Sequence, residues 1–137
     1  MEPTTIHICV TCRVTDDPLE AEQGRAGARL HREVAKLAEE RGAAVRVVPV
    51  ECLSVCKRPV TVGYAAPGKW TYVYGDFPPE VGAETVINGA LLYREAPDGL
   101  IPWRQRPDML KKGVISRSPP LAAAAASPES PLPEAAE

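Results

Sequence analysis

Four cysteines fall in two close pairs, Cys9-Val10-Thr11-Cys12 and Cys52-Leu53-Ser54-Val55-Cys56, with 39 residues between the pairs. Thiolates are soft, anionic ligands, and a set of four suits Zn²⁺ or an iron–sulfur cluster. Either centre is negatively charged, and a cluster gains a further negative charge on reduction. Such a site calls for nearby cations and for apolar cover over the sulfurs. Arg13, Lys57 and Arg58 flank the cysteines, and Leu53 and Val55 lie between Cys52 and Cys56. A third chemistry uses the first pair alone, because C-x-x-C is also a dithiol redox motif. That chemistry wants the first cysteine at a helix N-terminus, which lowers its pKa. The first candidate helix here starts five or more residues beyond Cys12, and the redox reading leaves Cys52 and Cys56 without a role.

The compartment bears on the choice. The N-terminus has no apolar run of signal-peptide length, and nothing approaches the roughly 20 apolar residues that span a bilayer. The expectation is a cytoplasmic protein with no membrane partner. In a reducing compartment, paired cysteines point to metal or redox chemistry rather than structural disulfides. The formal charge of −2 over 137 residues argues against a chain built mainly to hold nucleic acid.

The elements that must position the cysteines read in order. Thr5 to Val10 is short, apolar and β-branched, a buried strand with Cys9 at its end. Asp17, Pro18 and Glu20 have the spacing of N-cap, N1 and N3. Gly24 and Gly27 weaken the first turns, so the firm helix is expected from about Arg25. Leu30, Val34, Leu37 and Ala38 make its apolar stripe, and Gly42 stops it. Val45 to Val50 is a second strand. Pro49 cannot donate to a ladder and places that strand at a sheet edge. Pro59 to Ala65 and Trp70 to Tyr74 flank the turn Ala66-Pro67-Gly68-Lys69 and read as a hairpin. Asp76 to Glu80 opens a second helix, with Ala83, Val86, Ile87, Ala90 and Leu91 on its apolar face. Asp98-Gly99 is expected to end the compact region.

The order β-α-β-β-β-α predicts an α/β fold, a mixed sheet with both helices on one face, as in a thioredoxin-like core. A strand–helix–strand unit joins parallel strands. The loops after strands one and two then leave from the same rim, where open α/β sheets place their sites. Topology alone brings Cys9, Cys12, Cys52 and Cys56 together. Three segments are expected: 1–102 as the metal-binding domain, 103–118 as a basic extension, and 119–137 as a disordered Ala/Pro/Ser/Glu tail. The extension carries Arg104, Arg106, Lys111, Lys112 and Arg117 against Asp108, a net +4.

The run Cys52-Leu53-Ser54-Val55-Cys56-Lys57-Arg58-Pro59-Val60 resembles the second cysteine element of the thioredoxin-like [2Fe-2S] ferredoxins. In those proteins a C-x3-C pair precedes a proline and the β-hairpin. They separate their first two cysteines more widely than Cys9 and Cys12 are separated here. A closer resemblance rests on Cys9-Val10-Thr11-Cys12-Arg13, on Cys52 to Pro59, and on Gly99-Leu100-Ile101-Pro102-Trp103-Arg104 with Arg106-Pro107. It is to an uncharacterised bacterial family of predicted metal-binding proteins, similar to the ferredoxins in fold and associated with cobalamin-biosynthesis genes. The resemblance implies a [2Fe-2S] cluster on Cys9, Cys12, Cys52 and Cys56, with zinc as the alternative. It also implies electron transfer rather than enzymatic catalysis, a redox partner protein of cobalamin biosynthesis, and a homodimer.

Other residues carry weaker signals. His7, inside a strand, reads as a structural histidine, and His31 as solvated. Trp70, Tyr72 and Tyr74 share one face of their strand and read as packing. Trp103 reads as pinning the basic segment to the domain, against the alternative of stacking on a nucleic-acid base. Asp16 and Asp17 read as caps rather than paired catalytic acids. The sequence has no Ser/His/Asp set, phosphate-binding glycine loop or HExxH motif.

Overall fold

The computed structural model describes residues 2–55 and 57–121. Cys56 and residues 122–137, and with them most of the expected tail, lie outside the described residues. The strands are β1 (Thr4–Cys9), β2 (Val45–Val50), β3 (Val62–Ala65), β4 (Thr71–Tyr74) and β5 (Val114–Ser118). The helices are α1 (Glu20–Gln23), α2 (Ala26–Arg41), α3 (Ala83–Glu95) and α4 (Asp108–Lys112), with a 3₁₀ turn at Trp103–Gln105. The strands form one mixed sheet in the order β2-β1-β3-β4-β5. β1 and β2 are parallel, with Cys9 opposite Val50. The other pairings are antiparallel. This is the expected thioredoxin-like α/β arrangement, with β2 and its Pro49 at an edge.

Alternation along β1 decides which face is buried. Thr4, Ile6 and Ile8 point inward, and α2 and α3 lie side by side over them. Leu30 and Val34 of α2 join Val86, Ile87 and Ala90 of α3 in one core. The Thr4 hydroxyl donates to the Ala90 carbonyl at 2.7 Å. The Tyr64 hydroxyl donates to Val86 at 2.5 Å. Tyr72 and Tyr74 stack in that core with centroids 5.4 Å apart, and Tyr64 meets Tyr74 edge-on at 5.3 Å. The shared face of β4 is therefore core, as expected, although Trp70 at its start is only partly covered. Among the described residues no helix is long and apolar enough to cross a membrane.

Three expectations need correction. Asp17 does not cap a continuous helix. Gly24, at φ 91, breaks the chain between α1 and α2, and Arg25 precedes α2 without a side-chain cap. Asp17 caps only the turn before α1, where it accepts from the Leu19 amide at 3.1 Å, and it also accepts from Arg29 at 2.8 Å, with both side chains 6% exposed. The compact region does not end at Gly99, because the basic segment contributes α4 and the fifth strand. Its anchors are the buried Ile101 and Leu110. Arg106 adds hydrogen bonds to the Ile101 carbonyl at 2.9 Å and the Tyr72 hydroxyl at 3.2 Å. Trp103 is not the pin, since it is 59% exposed.

Candidate metal centre

Three segments converge on the rim where β1 and β2 end and the approach to β3 begins. They line one cavity of about 190 Å³ whose walls include Cys9, Cys12, Cys52, Leu53, Val55 and Thr61. The parallel pairing of β1 with β2 supplies two of these segments, and the antiparallel return into β3 supplies the third. The topology thus brings three of the four expected ligands to one cavity. Cys56, the fourth, is outside the described residues.

The first pair is held from several directions. Cys9 and Cys12 are buried. The Cys9 sulfur lies 3.4 Å from the Thr11 hydroxyl, and its thiol donates to the Glu51 carbonyl at 3.6 Å. The Thr11 hydroxyl also donates to Glu51, which stitches the two cysteine loops together. The Cys12 sulfur lies 3.4 Å from the Thr61 hydroxyl. Below the pair sits the first turn of α2. The Gly27 amide donates to the Cys12 carbonyl at 3.1 Å, and a methyl group on Gly27 would collide with the Cys9 carbonyl. Glycine here permits close approach of helix and loop. Arg25 reaches the Thr11 carbonyl at 3.1 Å. The helix end that seemed too far along the chain to influence the first pair is therefore packed against it.

This setting makes the two thiols unequal. Burial pushes the Cys9 thiol up, but bonds from the Thr11 hydroxyl, the Cys12 thiol and the Thr11 and Leu53 amides outweigh it, so its pKa is lowered. Burial also pushes Cys12 up. The Thr61 hydroxyl opposes this, but donation to Cys9 adds to the rise, and the net direction is upward.

The second pair has a looser setting. Cys52 is exposed, and its sulfur accepts from the Ser54 amide at 3.1 Å. Ser54 and Val60 adopt left-handed backbone at φ 62 and 64. That conformation is an outlier for a β-branched valine, and it sits between two cavity-lining residues, Pro59 and Thr61. Leu53 and Val55 form apolar wall, as expected. Of the expected cations, Arg13 lines the cavity but is paired with Glu20, at 2.9 and 2.5 Å. Arg58 does not line the cavity. It binds Asp76 at 2.8 Å and the Lys112 carbonyl at 3.1 Å, tying the loop to the α4–β5 junction. Lys57 is exposed. His7 and His31 do not line the cavity.

Soft sulfur donors, amide and hydroxyl donors beside them, and apolar walls fit a thiolate-bound metal or cluster. Among the described residues no three His, Cys, Asp or Glu side chains stand close enough to hold a single ion. Thr61 and the Glu51 carbonyl have no reading in the sequence, and Gly27 reads there only as a weak point of the first helical turns. Thr61 carried no signal beyond β-branching. Gly27 carried one, a glycine within a helical pattern, which marks close packing as often as weakness.

The five-stranded mixed sheet with its parallel β1–β2 pair has a thioredoxin-like fold. The solved thioredoxin-like [2Fe-2S] ferredoxin from Aquifex aeolicus is similar to this chain at TM-score 0.55 and 17% identity, over 90% of this chain and 100% of that one. A second structure of that wild-type ferredoxin gives TM-score 0.52 and 19% identity over 85% and 99%. No protein of curated function matches. The chain belongs to DUF1636, a family described as proteins of unknown function, whose model matches residues 6–120.

Proposed function

We propose that the protein is a small electron carrier holding one [2Fe-2S] cluster on Cys9, Cys12, Cys52 and Cys56. The observation that carries this reading is the single cavity into which Cys9, Cys12 and Cys52 open at the parallel rim. The similarity in fold to a protein solved as a [2Fe-2S] ferredoxin supports it. When bound, the cluster would accept and release one electron. The chain's own residues do the rest. Thr11, Thr61 and the Leu53 and Ser54 amides offer hydrogen bonds to sulfur, which favours the reduced, more negative state. Leu53 and Val55 exclude water from the inner side. The exposed Cys52 edge leaves a short route for the electron to a docked protein, so no substrate pocket is required.

The second reading is a zinc-binding structural module, favoured by the short C-x2-C and C-x3-C spacings, which chelate a single ion well. Protein purified without oxygen separates the two. The electron-carrier reading expects a red-brown solution that bleaches with dithionite and contains two iron and two sulfide per chain, since that is the make-up of a [2Fe-2S] core. A colourless chain holding one zinc would refute it. A colourless, metal-free chain with disulfide reductase activity lost in Cys12→Ser would turn the site into a dithiol centre.

A further inference from the structure

The basic segment is more than an extra strand. Arg104, Arg106, Lys111, Lys112 and Arg117 give residues 103–118 a net +4 in a chain whose total is −2, so the remaining residues carry −6. None of the five is among the ion pairs of the described residues, which use Arg13, Arg29, Arg41 and Arg58. A charged residue on an edge strand blocks edge-to-edge pairing. Arg117 on β5 is enough for that, which leaves Arg104, Lys111 and Lys112 unexplained. Among them stands Trp103, 59% exposed, with the Arg106 guanidinium 5.4 Å and the Lys111 ammonium 5.5 Å from its ring centroid. Exposed tryptophan and arginine together are the residue types that anchor protein interfaces. The segment is also bolted to the cysteine loop, because Arg58 binds the Lys112 carbonyl at 3.1 Å and the Arg58 amide donates to Val55 at 3.0 Å.

We infer that the 103–118 face docks an acidic protein beside the cysteine loop. Two features favour protein over nucleic acid. The Trp103 ring is already engaged by two of the chain's own cations, so it offers a cationic rim rather than a bare stacking platform. Residues 2–102, with eleven basic against fourteen acidic side chains, carry −3, which repels a long polyanion but leaves a compact acidic surface free to meet one face. This goes beyond the electron-carrier reading, and its test does not need the metal. Binding is measured on the protein as purified, and iron is assayed separately, so failure of one reading is distinguishable from failure of the other.

The experiment is calorimetric titration with two probes, a flavodoxin as an acidic redox protein and a short oligothymidylate. Arg104→Glu/Lys112→Glu reverses two exposed charges that make no side-chain bond among the described residues, so the fold should survive, and circular dichroism checks this. The wild type should bind flavodoxin at low salt and weaken as salt rises. The double reversal should weaken binding about tenfold or more, the equivalent of about 1.4 kcal/mol. Trp103→Ala should also weaken it. Arg46→Glu, exposed on the far edge strand, should change it less than about twofold. Absence of flavodoxin binding at low salt, or an equal loss with Arg46→Glu, would overturn the proposal. So would tighter binding of the oligothymidylate that depends on Trp103, which would make this a nucleic-acid face. Self-association of the wild type that the double reversal abolishes would assign the face to a second copy and overturn it as well.

Discussion

The two halves of the cysteine site are built differently. Cys9 and Cys12 are buried, and the first turn of α2, Thr11 and Thr61 hold them. Cys52 stands on an exposed loop that bends through left-handed backbone at Ser54. Each half has an arginine bolt, and the bolts differ in the same way. Arg29 is 6% exposed and clasps Asp17 at 2.8 Å, Glu80 at 2.9 Å and the Gly24 carbonyl at 2.6 Å. Arg58 is 36% exposed and pairs with a half-exposed Asp76. The difference separates two tasks. The first half is buried as part of the fold itself. The second half is a surface loop, and under the proposed function its order would depend on what the sulfurs hold, since metal binding and local folding are linked.

The largest effect expected tests the bolts. Arg29→Met strips a buried carboxylate, Asp17, of its partner, whereas Arg58→Met removes a pair that water already screens. Arg29→Met should lower the melting temperature well beyond Arg58→Met, and only the Arg58 effect should fade with added salt. The pH dependence has a definite sign. The hydrogen bond from Arg29 holds the Asp17 carboxyl below its usual range. Its contribution is present above the unfolded pKa of about 3.9 and is lost as pH falls through the lower folded value. The gap between wild type and Arg29→Met should therefore be full at neutral pH and narrow in acid below about pH 4. Equal losses for the two variants would erase the distinction between the halves.

Next in size is Gly27→Ala. Helix propensity alone predicts a gain of about 1 kcal/mol for replacing a glycine within a helix. Overpacking predicts a loss of about 1–3 kcal/mol, and the loss should win because the obstacle is the Cys9 backbone carbonyl, which cannot swing aside. Urea unfolding of the metal-free protein would show it, and retained metal should fall in parallel. A stabilised variant would mean that the α2 contact does not define the first half.

Much of this was legible in the sequence for a physical reason. Period-two and period-3.6 patterns reach deep into β1, β2, α2 and α3, because those elements bury one face against the core. Pro49 announced its edge strand through a missing donor. The parallel rim followed from chain order and chirality, and it gathered Cys9, Cys12 and Cys52. The remaining features lack a local pattern. β5 carries Ser116, Arg117 and Ser118, all exposed, so an edge strand held by backbone pairing to β4 reads as a polar extension. Asp17 has the spacing of a cap and accepts from the Leu19 amide, and only the tertiary position of Arg29 makes it an ion-pair partner as well. Trp103 reads as an anchor in the sequence, yet its ring is exposed. The anchoring falls to Ile101, Leu110 and Arg106.

Serine exchange of single cysteines sharpens the comparison further. In metal-free protein, Cys12→Ser places a more polar group in a buried site and should cost about 1–2 kcal/mol. Cys52→Ser is exposed and should stay within about 0.5 kcal/mol. Under the proposed function both should lose iron and sulfide, so the two variants agree in metal content and disagree in apo stability. Normal iron stoichiometry in Cys52→Ser would remove the second half from the site.

The smallest effect lies within the loop itself. Ser54 sits at φ 62, a region costing about 1 kcal/mol for a residue with a Cβ, and its side chain is exposed. Its main contact with the Cys52 sulfur is the backbone amide at 3.1 Å, which a glycine would keep, while the longer contact of its hydroxyl at 3.9 Å would be lost. Ser54→Gly relieves the backbone while loosening the unfolded chain by a comparable amount. Stability should therefore shift by no more than about 0.5 kcal/mol and metal content should not change. Ser54→Pro tests the same point from the other side, because proline removes the amide and forbids the positive φ. Metal retention should fall while the apo fold, anchored by the first half, unfolds at nearly the wild-type urea concentration. If Ser54→Pro instead unfolded the metal-free protein, the second loop would be part of the core.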